Sequence, residues 1–170
     1  MRHTGRTDVP LLPEGEANAV KLGERLRGIS FTAAYTSPLQ RARRTAALAG
    51  FPKAEVTDLL LEYDYGDYEG LTYAQIVAQR PGWDLFRDGC PGGETPAQVY
   101  ARAMRFVELA TEQYGPVIAF AHGHILRAVT VAFLGWQVEL ASPFANLDTG
   151  ALGLLVDGQR GRVLTAWNRN

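Results

Sequence analysis

Cysteine, histidine and an excess of either charge are all scarce here, and each scarcity excludes something. Cys90 is the only cysteine in 170 residues. No internal disulfide can therefore form, and a reducing, cytoplasmic compartment is the default expectation. Seventeen Lys and Arg against 18 Asp and Glu leave a formal net charge of −1. A dedicated nucleic-acid binder is usually basic, so that class is not expected. No apolar run approaches the roughly 20 residues of a membrane helix. The opening MRHTGRTDVP lacks the apolar stretch of a signal peptide. Only three histidines occur, His3, His122 and His124, and no Asp or Glu stands beside the last two. A complete metal site on that pair finds little support. A buried first strand is missing too. The chain opens on a polar, turn-like stretch holding Arg2, His3 and Arg6, where an α/β enzyme usually begins with a strand.

What is present reads as one globular domain spanning 1–170. Hydrophobic residues make up 46% and charged residues 21%, enough to bury a core without metal or disulfide staples. Repeats, linkers and low-complexity tracts are not apparent. Pro13 at a first helical turn leads into a helix over Glu14 to Arg27, with Ala17, Val20 and Leu26 on its apolar face and Gly28 as its stop. Phe31 to Tyr35 reads as a strand. Ser37-Pro38 opens the next helix with a hydroxyl cap and a first-turn proline, and Gly50 ends it. Val56 to Leu61 reads as extended, and Tyr63 to Leu71 as a loop rich in tyrosine, glycine and acid. Helices are expected over Thr72 to Arg80 and from Thr95-Pro96 to near Gly115. PVIAFA, residues 116–121, has the short apolar form of a buried strand. It stops at His122-Gly123-His124, and a helix runs from Ile125 to Leu134. Ala151 to Val156 and Arg162 to Trp167 form a hairpin around Asp157-Gly158. Alternating strands and helices predict a three-layer α/β sandwich, a mainly parallel sheet with helices on both faces.

In such sheets ligands bind at the carboxyl ends of strands, which directs attention to residues 35–41 and 122–124. Arg41 lies in the first turns of a helix that follows a strand. There it is either a phosphate-gripping fork aided by the helix N-terminus or a solvated surface charge. His122 ends a buried strand at the expected ligand edge, with glycine and a helix behind it. Its alternative is a hydrogen-bonded structural histidine. Glu62 enters the tyrosine-rich loop; a carboxylate against apolar walls has a raised pKa and can act as a general acid, although most glutamates simply face water.

Five segments, in order, resemble the histidine phosphatase superfamily, also called phosphoglycerate mutase-like. TGRTDVPLLPEGEANAVKLGERL is similar to its substrate loop and first helix. YTSPLQRARRTA resembles S-x-x-x-R-A-x-x-T, LLEYDYGDYEGLT resembles E-x-x-x-G-x-x-E-G, and GCPGGET resembles a G-G-E-[ST] lead into a helix. FAHGHILRAV resembles S-H-G-x-x-x-R with alanine in first position. The resemblance implies phosphoryl transfer to a histidine, then to water in phosphatases or back to substrate in mutases. It implies that Arg41 and His122 hold the phosphoryl oxygens, and that Glu62 protonates the leaving alcohol with an elevated pKa. It places Thr4, Gly5 and Tyr65 on the substrate side and the amides of Gly123 and His124 against the phosphate. No metal or organic cofactor is implied. The expected partner is a small phosphorylated metabolite, with no nucleic acid or membrane and with a homo-oligomer left open.

One motif departs. The family's nucleophile comes from L-x-R-H-G at the end of its first strand, and this sequence has none. Arg2-His3-Thr4 is the tempting substitute. However, Thr4 to Leu11 continues a substrate-loop pattern in register with His3, and no strand precedes His3 to hold it rigid. The expectation is a domain lacking its first strand and nucleophilic loop, with Arg2-His3 as substrate loop. The T-G-x-T-D loop and the E-Y-D-Y-G segment resemble phosphatase-type members, sugar bisphosphatases included. A phosphoglycerate mutase, or a phosphate binder without turnover, are the alternatives.

Overall fold

The computed structural model describes residues 2–169. Strands β1 (Ala33–Thr36), β2 (Glu55–Val56) and β3 (Val117–Phe120) form a parallel sheet in the order β2-β1-β3. Two more strands, β4 (Leu152–Gly158) and β5 (Gly161–Arg169), form a separate antiparallel hairpin. Helices α1 (Pro13–Arg25) and α2 (Gln40–Leu48) cover one sheet face, where Leu22, Leu26, Ala46 and Ala49 meet Ile118 and Phe120. Helices α5 (Pro96–Thr111) and α6 (Gly123–Leu134) cover the other. There Val99, Phe106, Ile125 and Val131 join Tyr35 and the tyrosine-rich loop in the larger core. Short helices α3 (Tyr73–Gln79) and α4 (Leu85–Asp88) lie between. The three layers are those expected.

Local chemistry explains most boundaries. Thr72 with Gln75 and Thr95 with Gln98 form reciprocal capping boxes at α3 and α5, and Pro96 fills the first position of α5. Asp84 starts α4 by accepting from the amides of Phe86 and Arg87. The turn at Gly66 admits no side chain. Its φ is +49°, and a Cβ there would stand 2.2 Å from the Pro91 carbonyl oxygen and 2.3 Å from the Gly93 nitrogen. This close approach locks the tyrosine-rich loop against residues 91–93.

Three local expectations are corrected. Helix α1 buries Gly15, Ala19 and Leu22 rather than Ala17 and Val20, because the 15-19-22-26 series is the stripe that faces α2 and β3. The stretch from Val56 to Leu61 is not a strand; β2 is two residues long and a 3-10 turn over Asp58–Leu60 follows, capped by Thr57. Ser37 does not cap α2. That helix starts at Gln40, whose amide donates instead to the Asp8 carboxylate at 2.8 Å.

β1 and β3 pair in register, Thr36 opposite Phe120, and the Ser37 amide donates to the Phe120 carbonyl at 2.9 Å. The segments that leave both strands therefore emerge side by side. A cavity of about 890 Å³ opens there. It runs along the second edge of β3, past Ile118 to Ala121, to Ala151 and Leu152 at the start of the hairpin. That edge has no strand partner among the described residues.

Candidate active site

Arg41, Glu62, His122, Gly123, His124, Tyr65, Thr4 and His3 all line this one cavity. Distant segments of the chain bring them together. β1 and the Asp8-capped start of α2 deliver Arg41, and β3 delivers His122. The His122 ring is nine-tenths buried. Its Nδ1 accepts from Arg41 Nε at 3.1 Å, and its Nε2 lies 2.8 Å from Ser37 Oγ. Since Nδ1 accepts, the ring proton belongs on Nε2, which donates to the hydroxyl. Burial pushes the His122 pKa down to about 4, against the pull of Glu62. The ring is therefore neutral at pH 7.

Arg41 is the hub. Besides His122, its guanidinium donates to the carbonyls of Thr7 (2.8 Å), Gly5 (2.8 Å) and Thr4 (3.3 Å). The loop it holds is clamped from behind by Glu69. That carboxylate accepts from the Gly5 amide at 2.9 and 3.0 Å, from the Thr7 amide at 3.3 Å and from the Thr7 hydroxyl at 2.8 Å. Gly5 itself is buried between Arg41 and Glu69 and does not line the cavity wall. Its part is to shape the loop, and a Cβ there would stand 2.4 Å from the Tyr63 carbonyl oxygen.

Glu62 departs most from expectation. Its carboxylate sits on the N-terminus of α6 and accepts from the amides of Ile125 (2.9 Å), Tyr63 (2.9 Å) and His124 (3.2 Å). Burial works to raise its pKa. The neighbouring His124 and His122 and the backbone donors outweigh it, so the pKa is lowered, not raised. Two amide donors at a helix N-terminus and a third from Tyr63 favour the anion strongly. The His124 amide is thus taken by Glu62 rather than turned to a phosphate. The His124 ring pairs with Tyr65, whose hydroxyl lies 2.5 Å from Nδ1. Burial drives the Tyr65 pKa well above its ordinary value, so it is the phenol that donates. Burial likewise pushes His124 down to about 4.

His3 is held more firmly than its position in the sequence suggested. Its amide donates to the Leu71 carbonyl and its carbonyl accepts from the Gly70 amide, both at 2.8 Å. Its Nδ1 lies 3.0 Å from the Leu71 carbonyl oxygen. A carbonyl only accepts, so Nδ1 donates and the neutral ring keeps its lone pair on Nε2. The ring stands edge-on to Tyr65 and Trp83 and parallel to His124, 6.1 Å away.

Three positioning residues escaped the sequence reading, Asp8, Glu69 and Arg102, and Ser37, expected there as a helix cap, instead holds the His122 ring. From α5, Arg102 donates to the carbonyls of Leu59 (3.0 Å) and Leu61 (2.6 Å) and pairs with Glu94 at 2.8 Å. It thereby fixes the backbone that delivers Glu62. Glu69 and Glu94 stood inside quoted motifs, but their partners lie 62–64 and 8–30 residues away, and nothing in the local sequence names them.

Two neutral histidines, His122 buried and His124 partly buried, link stability to pH. Each binds a proton near 6.5 when unfolded but only near 4 when folded. Their contribution is complete above about 6.5 and is lost as pH falls toward 4, with a slope of up to about 1.4 kcal/mol per pH unit for each. Acidifying from pH 7 to 5 is expected to lower Tm by roughly 5 °C or more, read by thermal melting. An unchanged Tm would contradict the neutral rings.

Fold and cavity together define an α/β protein that gathers an arginine, a neutral histidine and a buried carboxylate where parallel strands end, an arrangement suited to a phosphoryl group. The model of the histidine phosphatase superfamily (branch 1) matches residues 1–170, and the chain belongs to that superfamily. That match does not bear out the expectation of a lost first strand. An acid phosphatase of Mycobacterium tuberculosis is 40% identical over 157 residues, covering 90% of this chain and 77% of the relative. A sedoheptulose 1,7-bisphosphatase of Saccharomyces cerevisiae is 32% identical over 81% of this chain and 63% of its own length. The solved structure of an open reading frame product from Mycobacterium tuberculosis superposes with a TM-score of 0.94 at 38% identity. It covers 99% of this chain and 89% of that one. No helix among the described residues is long and apolar enough to cross a membrane.

Proposed function

We propose that the chain hydrolyses phosphomonoesters of small metabolites, sugar phosphates among them, through a phosphohistidine and with no metal or organic cofactor. The observation that carries the reading is the shared wall on which Arg41, neutral His122 and Glu62 meet. The phosphatase names of the acid phosphatase and sugar bisphosphatase relatives agree with it. Arg41 and the His122 Nε2–H, once it leaves the Ser37 hydroxyl, stabilise the phosphoryl oxygens as charge spreads over them. The bond from phosphorus to the ester oxygen breaks, phosphorus bonds to a histidine nitrogen, for which the candidate in this chain is His3 Nε2, left with its lone pair by the Nδ1 contact to Leu71, and Glu62 hands a proton to the leaving alcohol. Water then cleaves the phosphohistidine and orthophosphate departs. Glu62 rests as a carboxylate, so its proton has to be loaded before each turnover.

A second reading, a phosphate binder without turnover, draws on one observation. The Arg41 guanidinium donates to His122 and to the carbonyls of Thr4, Gly5 and Thr7, so an anion must first displace the loop carbonyls. The test is incubation with p-nitrophenyl phosphate in EDTA, followed by acid quenching and mapping of labelled protein. Phosphate release insensitive to chelator, with an acid-labile phosphohistidine, is the expected result. Phosphate or vanadate binding without release supports the binder. Isomerisation of 3-phosphoglycerate without net release marks a mutase. Activity lost in EDTA and restored by zinc contradicts the cofactor-free reading.

A further inference from the structure

Besides Arg41 and the exposed Arg2, the cavity wall holds a buried cation that the phosphoryl site does not use. Arg127, on α6, is 8% exposed and lines the cavity. One guanidinium nitrogen donates to the Asn146 side-chain oxygen, and its Nε is buried with no hydrogen-bond partner. None of the described ion pairs includes it. Buried arginines are ordinarily matched by a carboxylate with good geometry, because desolvating the charge is expensive. The two carboxylates that act on Arg127 from a distance are Glu62 and Asp84, and both are taken by other donors. Glu62 holds three backbone amides. Asp84 holds the amides of Phe86 and Arg87 and the Ser142 hydroxyl, the last at 2.6 Å. Arg127 is therefore a buried fork with a neutral amide as its partner and an unfilled donor, on the wall of a cavity of about 890 Å³. That volume suits a whole small metabolite rather than a phosphoryl group alone.

We propose that Arg127 is a specificity-determining residue that receives a second anionic group of the substrate, a carboxylate or a second phosphate, while Arg41 and His122 hold the phosphoryl group. The proposal rests on the phosphomonoester reading for the first anion. It narrows the substrate class to phosphomonoesters that carry another negative charge. A planar fork suits either group through paired hydrogen bonds.

Equilibrium titrations in EDTA separate the possibilities. The probes are glycerol 3-phosphate, with one anion, 2-phosphoglycolate, with an added carboxylate, and 1,3-propanediol bisphosphate, with an added phosphate. The wild-type chain is expected to bind at least one two-anion probe about tenfold or more tightly than glycerol 3-phosphate. Which probe gains identifies the group. Arg127→Met should reduce that ratio to within about twofold of one, with glycerol 3-phosphate affinity nearly unchanged. Arg127→Lys should keep part of the ratio, and a merely structural role would not move it. Arg105 supplies the control, an exposed arginine on α5 that does not line the cavity; Arg105→Gln should leave the ratio intact. If Arg127→Met does not fold, the wild-type ratio and its partial retention in Arg127→Lys decide. Equal affinity for all three probes in the wild type overturns the proposal, as does a ratio that survives Arg127→Met or disappears in Arg105→Gln. Selective binding without hydrolysis removes the phosphatase reading and leaves Arg127 in place. Hydrolysis without selectivity does the reverse.

Discussion

Glu62→Ala is expected to lower folding stability by about 3–5 kcal/mol and to abolish turnover of alkyl phosphates. The stability loss follows from three amides, those of Tyr63, His124 and Ile125, that donate to this carboxylate in a buried setting. A buried donor left without a partner costs about 1–3 kcal/mol, partly relieved by water entering the gap. Glu62→Gln separates structure from chemistry. Its amide oxygen can keep the two bonds now made to Oε1, from Tyr63 and Ile125, and lose the one from His124. The expected loss is about 1–2 kcal/mol, read by urea unfolding. Glutamine cannot hand over a proton, so kcat should fall about 10²- to 10⁴-fold for an alkyl ester. It should fall far less for p-nitrophenyl phosphate, whose leaving group departs readily as an anion. Equal losses on both esters would remove Glu62 from the role of acid.

Arg41→Met has the other large effect. Here kcat/KM for any phosphomonoester should drop about 10²- to 10³-fold, because a charge-assisted fork and the orientation of His122 disappear together. The guanidinium is also the link between residues 4–7 and the strand ends. Lysine keeps the charge and loses the fork, so Arg41→Lys should recover only a small part. Steady-state kinetics on folded variants check this. Activity within about threefold of wild type would mean that the phosphoryl group sits elsewhere.

How much of this was legible in the sequence depends on the range of the forces involved. Short-range signals read well. The Thr95-Pro96 and Thr72 caps and the apolar run before His122 each name an element from neighbours a few positions away; the hairpin forms as expected, but Asp157 and Gly158 pair within it and its turn falls at residues 159–160. The ligand edge was legible too, because parallel strands that precede helices place Arg41 and His122 together. Long-range pairings were not. Nothing near Gln40 says that its amide is capped by Asp8, 32 residues earlier. Nothing near Glu62 says that α6 will set two amides on it from more than 60 residues away. Its expected high pKa failed for that reason: burial was foreseen, and the donors that counter it were not. The rigidity of His3 was missed likewise, since Leu71 and Gly70 supply it from 67–68 residues downstream.

The central claim is that a phosphoryl group is held between Arg41 and His122. A crystal structure of the chain with orthovanadate, grown in EDTA, tests it most directly. The account predicts vanadate within hydrogen-bonding distance of the Arg41 guanidinium and of His122 Nε2, with the carbonyls of Thr4, Gly5 and Thr7 released from the arginine and the Ser37 hydroxyl released from the histidine. Vanadate bound elsewhere in the cavity, or absent at saturating concentration with those three contacts intact, would contradict it.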